Sequence, residues 1–213
     1  MATSRPTELF LATADVVLDA VSDPAVGAAW REPSGLEDQT VGCLAGHLAR
    51  AGGWVVAEYL APGPPEGPLT FDSAADYYAA ILGRATDADQ KAVRDRGAAI
   101  AAHGQAHVVE TLRERLGTLR VELPRLADDQ SISVIGGFSL RLHDYLSTRV
   151  VEQVVHLDDL ARSIGRDPWP VDPDAMTVVL DVGVEIDRRR HSDTAMLRAL
   201  YRVGYADRAL PVL

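Results

Sequence analysis

Residues 149–159 read RVVEQVVHLDD, and this stretch sets two polar side chains, Glu152 and His156, into a largely apolar run. The two lie four positions apart, so on an α-helix the carboxylate and the imidazole share one face, one turn from each other. The valines around them indicate that this face does not simply point to water. A glutamate and a histidine in that setting are either a structural pair or two ligands of a metal ion.

A third residue of this kind is His47, in the segment TVGCLAGHLA at residues 40–49. Thr40 is a good N-cap, and the apolar positions after it recur at steps of three and four, as on one face of a helix. His47 lies inside that stripe. Together with Glu152 and His156 it would give three protein ligands and an open fourth position, which is typical of catalytic zinc sites. Spacing alone leaves the alternative open, namely a buried core histidine and a separate surface pair.

Arg149 and Asp159 fall on the same predicted helix face as Glu152 and His156. They could orient the metal ligands through hydrogen bonds, or they could form a salt bridge at an exposed rim. Cys43, four residues before His47, could be a thiolate ligand. A lone cysteine in a helix is more often a small buried hydrophobe, and we favour that interpretation.

A rival group of polar residues is His103, His107 and Glu110, which by spacing alone resembles a ligand set. Its neighbours are small or polar, so the pattern favours a solvated or interhelical structural role. The chain contains no glycine-rich phosphate loop, no nucleophile elbow and no paired-cysteine zinc motif.

Hydrophobic periodicity predicts a mainly α-helical chain, a helical bundle with a short β-hairpin and extra C-terminal helices. The predicted helices cover residues 7–21, 40–59, 73–82, 87–116, 140–164 and 174–190, with a last one from Asp193 that fades before Pro211. The predicted strands are 119–123 and 132–135, joined through Asp128 and Asp129. Thr40, Ser73 and Thr86 are the predicted N-caps, and Ser139 is predicted to open the long helix that carries Glu152 and His156.

Composition narrows the class of protein. The 213 residues, 47% of them hydrophobic, suffice for one globular domain with its own core. A net charge of −10 argues against a duplex DNA binder, and no apolar run is long enough for a membrane span. With one cysteine and no signal peptide in the sequence, we expect a cytoplasmic protein that binds neither nucleic acid nor membrane and could form a homodimer.

Two segments resemble one known family. Trp30 with TVGCLAGHLA at 40–49, and YLSTRVVEQVVHLDDLA at 145–161, resemble the two signatures of the mycothiol-dependent maleylpyruvate isomerase N-terminal domain. The resemblance covers most of residues 7–165. It implies the DinB-like superfamily of four-helix bundles and a zinc site formed by His47, Glu152 and His156.

The resemblance also shows departures. The family position of Cys43 is usually polar or acidic, and the complete isomerase carries a second, C-terminal domain where this chain has only residues 166–213. We therefore expect a DinB-like metal-binding bundle at 1–165 and a helical extension at 166–213 packed on the same domain.

The resemblance implies a metal-dependent S-transferase or isomerase, with zinc or another divalent ion as cofactor. Mycothiol is the expected cosubstrate, activated for attack on a small electrophile, and Arg149 could hold a carboxylate of either reactant. Two alternatives remain: a hydrolase or isomerase that uses metal-activated water, and a non-catalytic bundle that binds a metal or ligand.

Overall fold

The computed structural model describes residues 5–84, 86–127 and 129–202, and it is mainly helical with one two-stranded antiparallel sheet. The α-helices are α1 Arg5–Ser22, α2 Pro24–Ala28, α3 Val41–Ala49, α4 Val55–Leu60, α5 Ala74–Leu82, α6 Asp87–Ala101, α7 Gln105–Glu122, α8 Leu142–Ser163, α9 Pro173–Arg190 and α10 Asp193–Tyr201. A π-helix, Arg50–Trp54, joins α3 to α4, and short 3-10 turns cover Leu123–Arg125 and Ile135–Gly137.

Helices α1, α3, α7 and α8 pack around a common apolar core, which confirms the predicted helical bundle. Each contributes fully buried side chains to one cluster, among them Val17, Leu48, Leu112 and Leu160. Burial of such side chains stabilises a fold by roughly 1.5–3 kcal/mol each. The bundle therefore needs no bound ion for a core.

Side-chain caps set the starts of three helices as predicted. Thr40 accepts a hydrogen bond from the Cys43 N–H, and Ser73 accepts one from Asp76 N–H. Thr86 and Asp89 form a reciprocal capping box at the start of α6. These caps fix where α3, α5 and α6 begin, and all three helices line the site described below.

The prediction of a strand at 119–123 is wrong, because these residues continue α7 and its 3-10 turn. Leu112, Leu116, Leu119 and Leu123 are buried and recur at steps of three and four, which is a helical stripe. The hairpin instead pairs β1 Ser131–Val134 with β2 Phe138–Arg141.

Two further boundaries differ from the prediction. Gly136 and Gly137 both have positive φ and form the hairpin turn, so Ser139 lies in β2 and α8 starts at Leu142. The helix predicted for 87–116 breaks before Gly104, whose φ is 83°. The predicted connection through Asp128 and the end of the last helix fall partly outside the described residues.

Helix α9 lies against α5 and α8 and also contacts α1, and its Ala175 is buried in a core cluster with Leu9 and Leu146. Ile186 of α9 packs in one buried cluster with Tyr78 of α5 and Val151 of α8. Arg189 adds an ion pair to Asp76 at 2.7 Å. The division of the chain at residue 165 stays a proposal. Within the described residues, no helix combines the length and the apolar character needed to cross a lipid bilayer.

Candidate functional site

His47, Glu152 and His156, here called the triad, meet between α3 and α8 although more than a hundred residues separate His47 from the other two. His47 Nε2 lies 3.3 Å from Glu152 Oε2, and His156 Nε2 lies 3.5 Å from the same oxygen. One ligand atom from each residue lies within 4.8 Å of the other two. The two imidazoles meet edge to face with ring centroids 4.7 Å apart.

Local structure explains why these side chains face one another. On α8, Glu152 and His156 are one turn apart and turn away from Leu157 and Leu160, which face the core. On α3, His47 is flanked by the buried Leu44 and Leu48 and sits at the edge of that stripe. Each triad side chain keeps about a fifth of its surface exposed, so the donors are sheltered and still reachable by a small ligand.

Asp159 forms a hydrogen bond with His156. Its Oδ2 lies 2.9 Å from His156 Nδ1, and because a carboxylate can only accept, Nδ1 is the donor. The other ring nitrogen, Nε2, faces Glu152. Burial alone would lower the pKa of His156, but the hydrogen bonds to Asp159 and Glu152 raise that pKa to about 9.

Tyr78 is a site residue that the sequence did not reveal. Its hydroxyl lies 3.0 Å from Glu152 Oε1 and 2.9 Å from the Thr148 carbonyl oxygen, donating to this pair of acceptors. The bond occupies one carboxylate oxygen and leaves Oε2 for the two histidines. Burial would raise the pKa of Glu152, but the hydrogen bonds from the histidines and the Arg149 charge hold that pKa well below its usual range.

Arg149 lies one turn before Glu152 and does not form an ion pair within 4 Å with any described carboxylate. Its Nε donates to Thr148 Oγ1 at 3.1 Å, and its guanidinium carbon lies 4.9 Å from the centre of the Tyr145 ring. The guanidinium lines the same cavity as the triad. The roles predicted for Arg149 and Asp159 in orienting ligands or substrate stay predictions.

The triad lies on the wall of a cavity of about 580 Å³, a volume typical of small-molecule sites. Helices α5, α6 and α8, the segment from α3 to α4, and the hairpin turn all contribute to it. Its apolar and aromatic wall comprises Val55, Tyr59, Tyr77, Ile81, Phe138 and Tyr145. Four arginines also line it: Arg50, Arg84, Arg96 and Arg149.

The other polar candidates lie outside this site. His103 and His107 are exposed with rings 4.9 Å apart, and Glu110 pairs with Arg113. Cys43 Sγ accepts a hydrogen bond from Thr40 Oγ1 at 3.2 Å and does not line the cavity. Among residues 5–84, 86–127 and 129–202, the triad is the one group of three or more histidine, cysteine and carboxylate side chains with metal-ligand spacing.

The donor set of the triad fits a divalent metal ion. Two imidazole nitrogens and one carboxylate oxygen suit zinc and similar ions, whose bonds of ~2.0–2.1 Å in tetrahedral geometry place ligands about 3.3 Å apart. The two separations from Glu152 Oε2 to the histidine nitrogens, 3.3 and 3.5 Å, are close to that value. The carboxylate behind His156 is the usual partner of a metal-binding histidine.

One of three comparisons with known proteins found a match. The family model described as the mycothiol maleylpyruvate isomerase N-terminal domain matches residues 10–161, a range that contains the whole triad. No significant match was found among curated proteins or among solved structures.

Proposed function

The chain belongs to the mycothiol maleylpyruvate isomerase N-terminal domain family, and from this premise we propose that it is a metal-dependent enzyme. It would activate a low-molecular-weight thiol, mycothiol, for attack on a small electrophile. One observation carries the proposal: the triad converges, with its donor atoms within 4.8 Å, on the wall of a cavity large enough for both reactants' reacting ends.

The residues around the triad have distinct roles in this proposal. Asp159 accepts the hydrogen bond from His156 Nδ1, so that Nε2 is the nitrogen that would bind the ion once its own proton has left. Tyr78 holds Glu152 Oε1, so that Oε2 faces both histidines. When bound, a divalent ion would supply Lewis-acid chemistry that lowers the pKa of a thiol at its open position. The thiol proton would first pass to water, and the sulfur would then form its bond to the electrophilic carbon as that carbon's bond to a leaving group, such as bromide, breaks.

Zinc is the ion that the ligand set suits best, although imidazole and carboxylate also bind other first-row metals. A cytoplasmic location is part of the proposal, because low-molecular-weight thiols are kept reduced there. The homodimer remains a proposal as well, and sedimentation equilibrium of the purified protein tests it.

The first test is metal content after purification without chelator. We expect near-stoichiometric divalent metal in the wild type and its loss in His47→Ala and His156→Ala. His107→Ala is the matched control, because His107 is exposed and outside the cavity. All three variants should keep helical circular dichroism, since the bundle has its own core. Metal retained in His156→Ala would contradict the assignment.

The second test is thiol transfer by the metal-loaded protein. Mycothiol and monobromobimane are incubated with wild type, His156→Ala and His107→Ala, and conjugation is followed by fluorescence. We expect catalysis by the wild type and the control only. Thiol-independent hydrolysis of ester substrates without any conjugation would instead favour metal-activated water, and metal binding without turnover would favour the non-catalytic bundle.

A further inference from the structure

Three of the cavity arginines have no acidic partner. Arg50 pairs with Glu58 at 2.8 Å, whereas Arg84, Arg96 and Arg149 have no carboxylate within 4 Å among the residues that the structure describes. The cavity wall carries two acidic side chains, Asp89 and Glu152. Asp89 is engaged in the capping box of α6, and Glu152 faces the histidines.

The positive charge of these cavity arginines is opposite in sign to the net charge of the whole chain, which is −10. Several arginines away from the cavity pair with carboxylates, among them Arg113, Arg120 and Arg188. Unpaired guanidinium groups gathered at one concave surface raise the local concentration of small anions. They also offer planar, bidentate donors that match a carboxylate.

One of these charges, Arg96, lies on the face of α6 that lines the cavity. Asp89, Ala92, Val93 and Arg96 follow the i, i+3, i+4, i+7 spacing of one helix face, and all four line the cavity. Gly97 and Ile100, on the adjoining face, pack against α3. Arg94 is on another face of the same helix and does not line the cavity.

Arg84 follows the end of α5, and its guanidinium carbon lies 5.8 Å from the centre of the Phe138 ring. Phe138 itself packs edge to face on Phe71. Two apolar side chains at the cavity stay unusually exposed, Val93 at 38% and Ile135 at 52%. The cavity thus combines guanidinium groups with apolar surface that water still reaches.

We propose that Arg84 and Arg96 form an anion subsite that binds the carboxylate of an amphipathic electrophile, whose aromatic or branched aliphatic body lies against the Val93, Ile135 and Phe138 surface. The inference rests on the proposed function and specifies its substrate class. Arg149, which lies one turn before Glu152 on α8, is not part of this subsite. Arg84 and Arg96 would then determine the specificity for the electrophile.

A binding experiment on metal-free protein tests the subsite without any thiol chemistry. Benzoate and benzamide, which differ in charge and hardly in shape, are titrated by calorimetry into chelator-treated protein, so that benzoate cannot coordinate a metal ion. We expect wild type to bind benzoate more tightly than benzamide. In the Arg84→Gln/Arg96→Gln double variant, benzoate affinity should fall roughly tenfold or more, as for loss of charge-assisted hydrogen bonds, with benzamide unchanged.

Arg94→Gln is the matched control and should bind benzoate like wild type, because it removes one charge from the same helix outside the cavity. Circular dichroism and metal uptake show whether the double variant is folded. Equal binding of benzoate and benzamide, no binding of benzoate, or benzoate binding untouched by the double substitution would each overturn the proposal.

Activity measurements separate this proposal from the proposed function. Metal-loaded enzyme is assayed with mycothiol and either 4-(bromomethyl)benzoate or its methyl ester. We expect the double variant to lose its preference for the acid through a raised KM, with the rate on the ester kept. If no conjugation occurs with either compound, the proposed function fails while the calorimetric result still decides the subsite.

Discussion

Glu152 is the residue on which the geometry of the site depends. Oε1 accepts from Tyr78, Oε2 faces both histidines, and the Arg149 charge lies one turn away. These contacts keep the carboxylate ionised in a sheltered position where burial would otherwise favour the neutral acid. Because Glu152 is already held in place, it loses little conformational freedom when it binds an ion. Its hydrogen-bond partner Tyr78 should therefore affect metal affinity almost as much as Glu152 itself.

Tyr78→Phe tests this dependence. The substitution removes the hydroxyl that holds Oε1 and keeps the buried ring, so the fold should persist. We expect metal affinity to fall roughly 10-fold to 100-fold, as when a partner behind a ligand is lost. Chelator-competition titration measures the affinity, and thermal unfolding reports any change in stability.

Tyr77→Phe is the matched control. Tyr77 is the neighbouring buried tyrosine, and its ring lines the cavity without a described bond to the triad. Its variant should keep wild-type metal affinity. Equal losses in the two variants would mean that Tyr78 acts through packing and not through its hydroxyl.

The raised pKa of His156 makes metal affinity depend on pH. In the metal-free protein this pKa is about 9, so at neutral pH the imidazole is protonated and a metal ion must displace that proton. Affinity should therefore rise with pH, about tenfold per unit between pH 7 and 9, and level off above that pKa. Competition titrations at several pH values measure the slope.

Asp159→Asn supplies the control for this pH dependence. Without the carboxylate, the pKa of His156 should fall toward its ordinary value of 6.5, so that less of the affinity change lies between pH 7 and 9. The affinity at high pH should also be lower, because Nε2 is less well oriented. A slope identical to wild type would exclude Asp159 as the cause of the raised pKa.

At the level of the helices, the sequence predicted the triad's own elements well and their neighbours less well. The stripes of α3 and α8 carried clear periodicity, and Thr40 marked the start of α3. The hydrogen bond from Tyr78 to Glu152 joins residues 74 positions apart on two different helices. The sequence around Tyr78 contains no pattern that predicts this contact.

The secondary-structure predictions were wrong where a local sequence pattern was compatible with both a strand and a helix. The segment 119–123 contains alternating apolar residues, which fit a strand, but Leu112 and Leu116 before it extend a helical stripe that tertiary packing favours. The π-helix Arg50–Trp54 was also beyond prediction, since its Gly52 and Gly53 allow a close approach to α1 and α7 that only packing reveals.

The crossing of α3 and α6 depends on two glycines. A Cβ on Gly97 would lie 2.8 Å from the Cys43 carbonyl oxygen, and one on Gly46 would lie 2.7 Å from the Gly97 carbonyl oxygen. Gly97→Ala should therefore push α6 away from α3 and lower the free energy of unfolding by about 1–3 kcal/mol. Chemical denaturation measures this change.

Gly117→Ala is the opposite case and the matched control. Gly117 lies exposed in α7 with no atom within 4 Å of an added Cβ, so alanine should stabilise the helix by about 0.5–1 kcal/mol. Stabilisation by both substitutions would show that the α3–α6 contact can open at no cost.

At the scale of the whole molecule, helix α9 packs against α5 and α8, which carry residues of the site. Tyr78 and Val151 each face the buried cluster that Ile186 of α9 completes. Tyr78 also reaches Glu152, so packing by α9 and the geometry of the triad share a residue. From this arrangement we propose that α9 belongs to the same cooperative unit as the bundle.

Ile186→Ala tests that unit. Ile186 is fully buried between α5 and α8, so truncation should lower the free energy of unfolding by roughly 2–5 kcal/mol. Leu180→Ala on the same helix removes a side chain that is 61% exposed and should change stability by less than about 0.5 kcal/mol. If the chain is one unit, circular dichroism and metal release should follow a single transition that Ile186→Ala shifts as a whole. If α9 unfolded first while the metal stayed bound, α9 would instead be a separate folding unit.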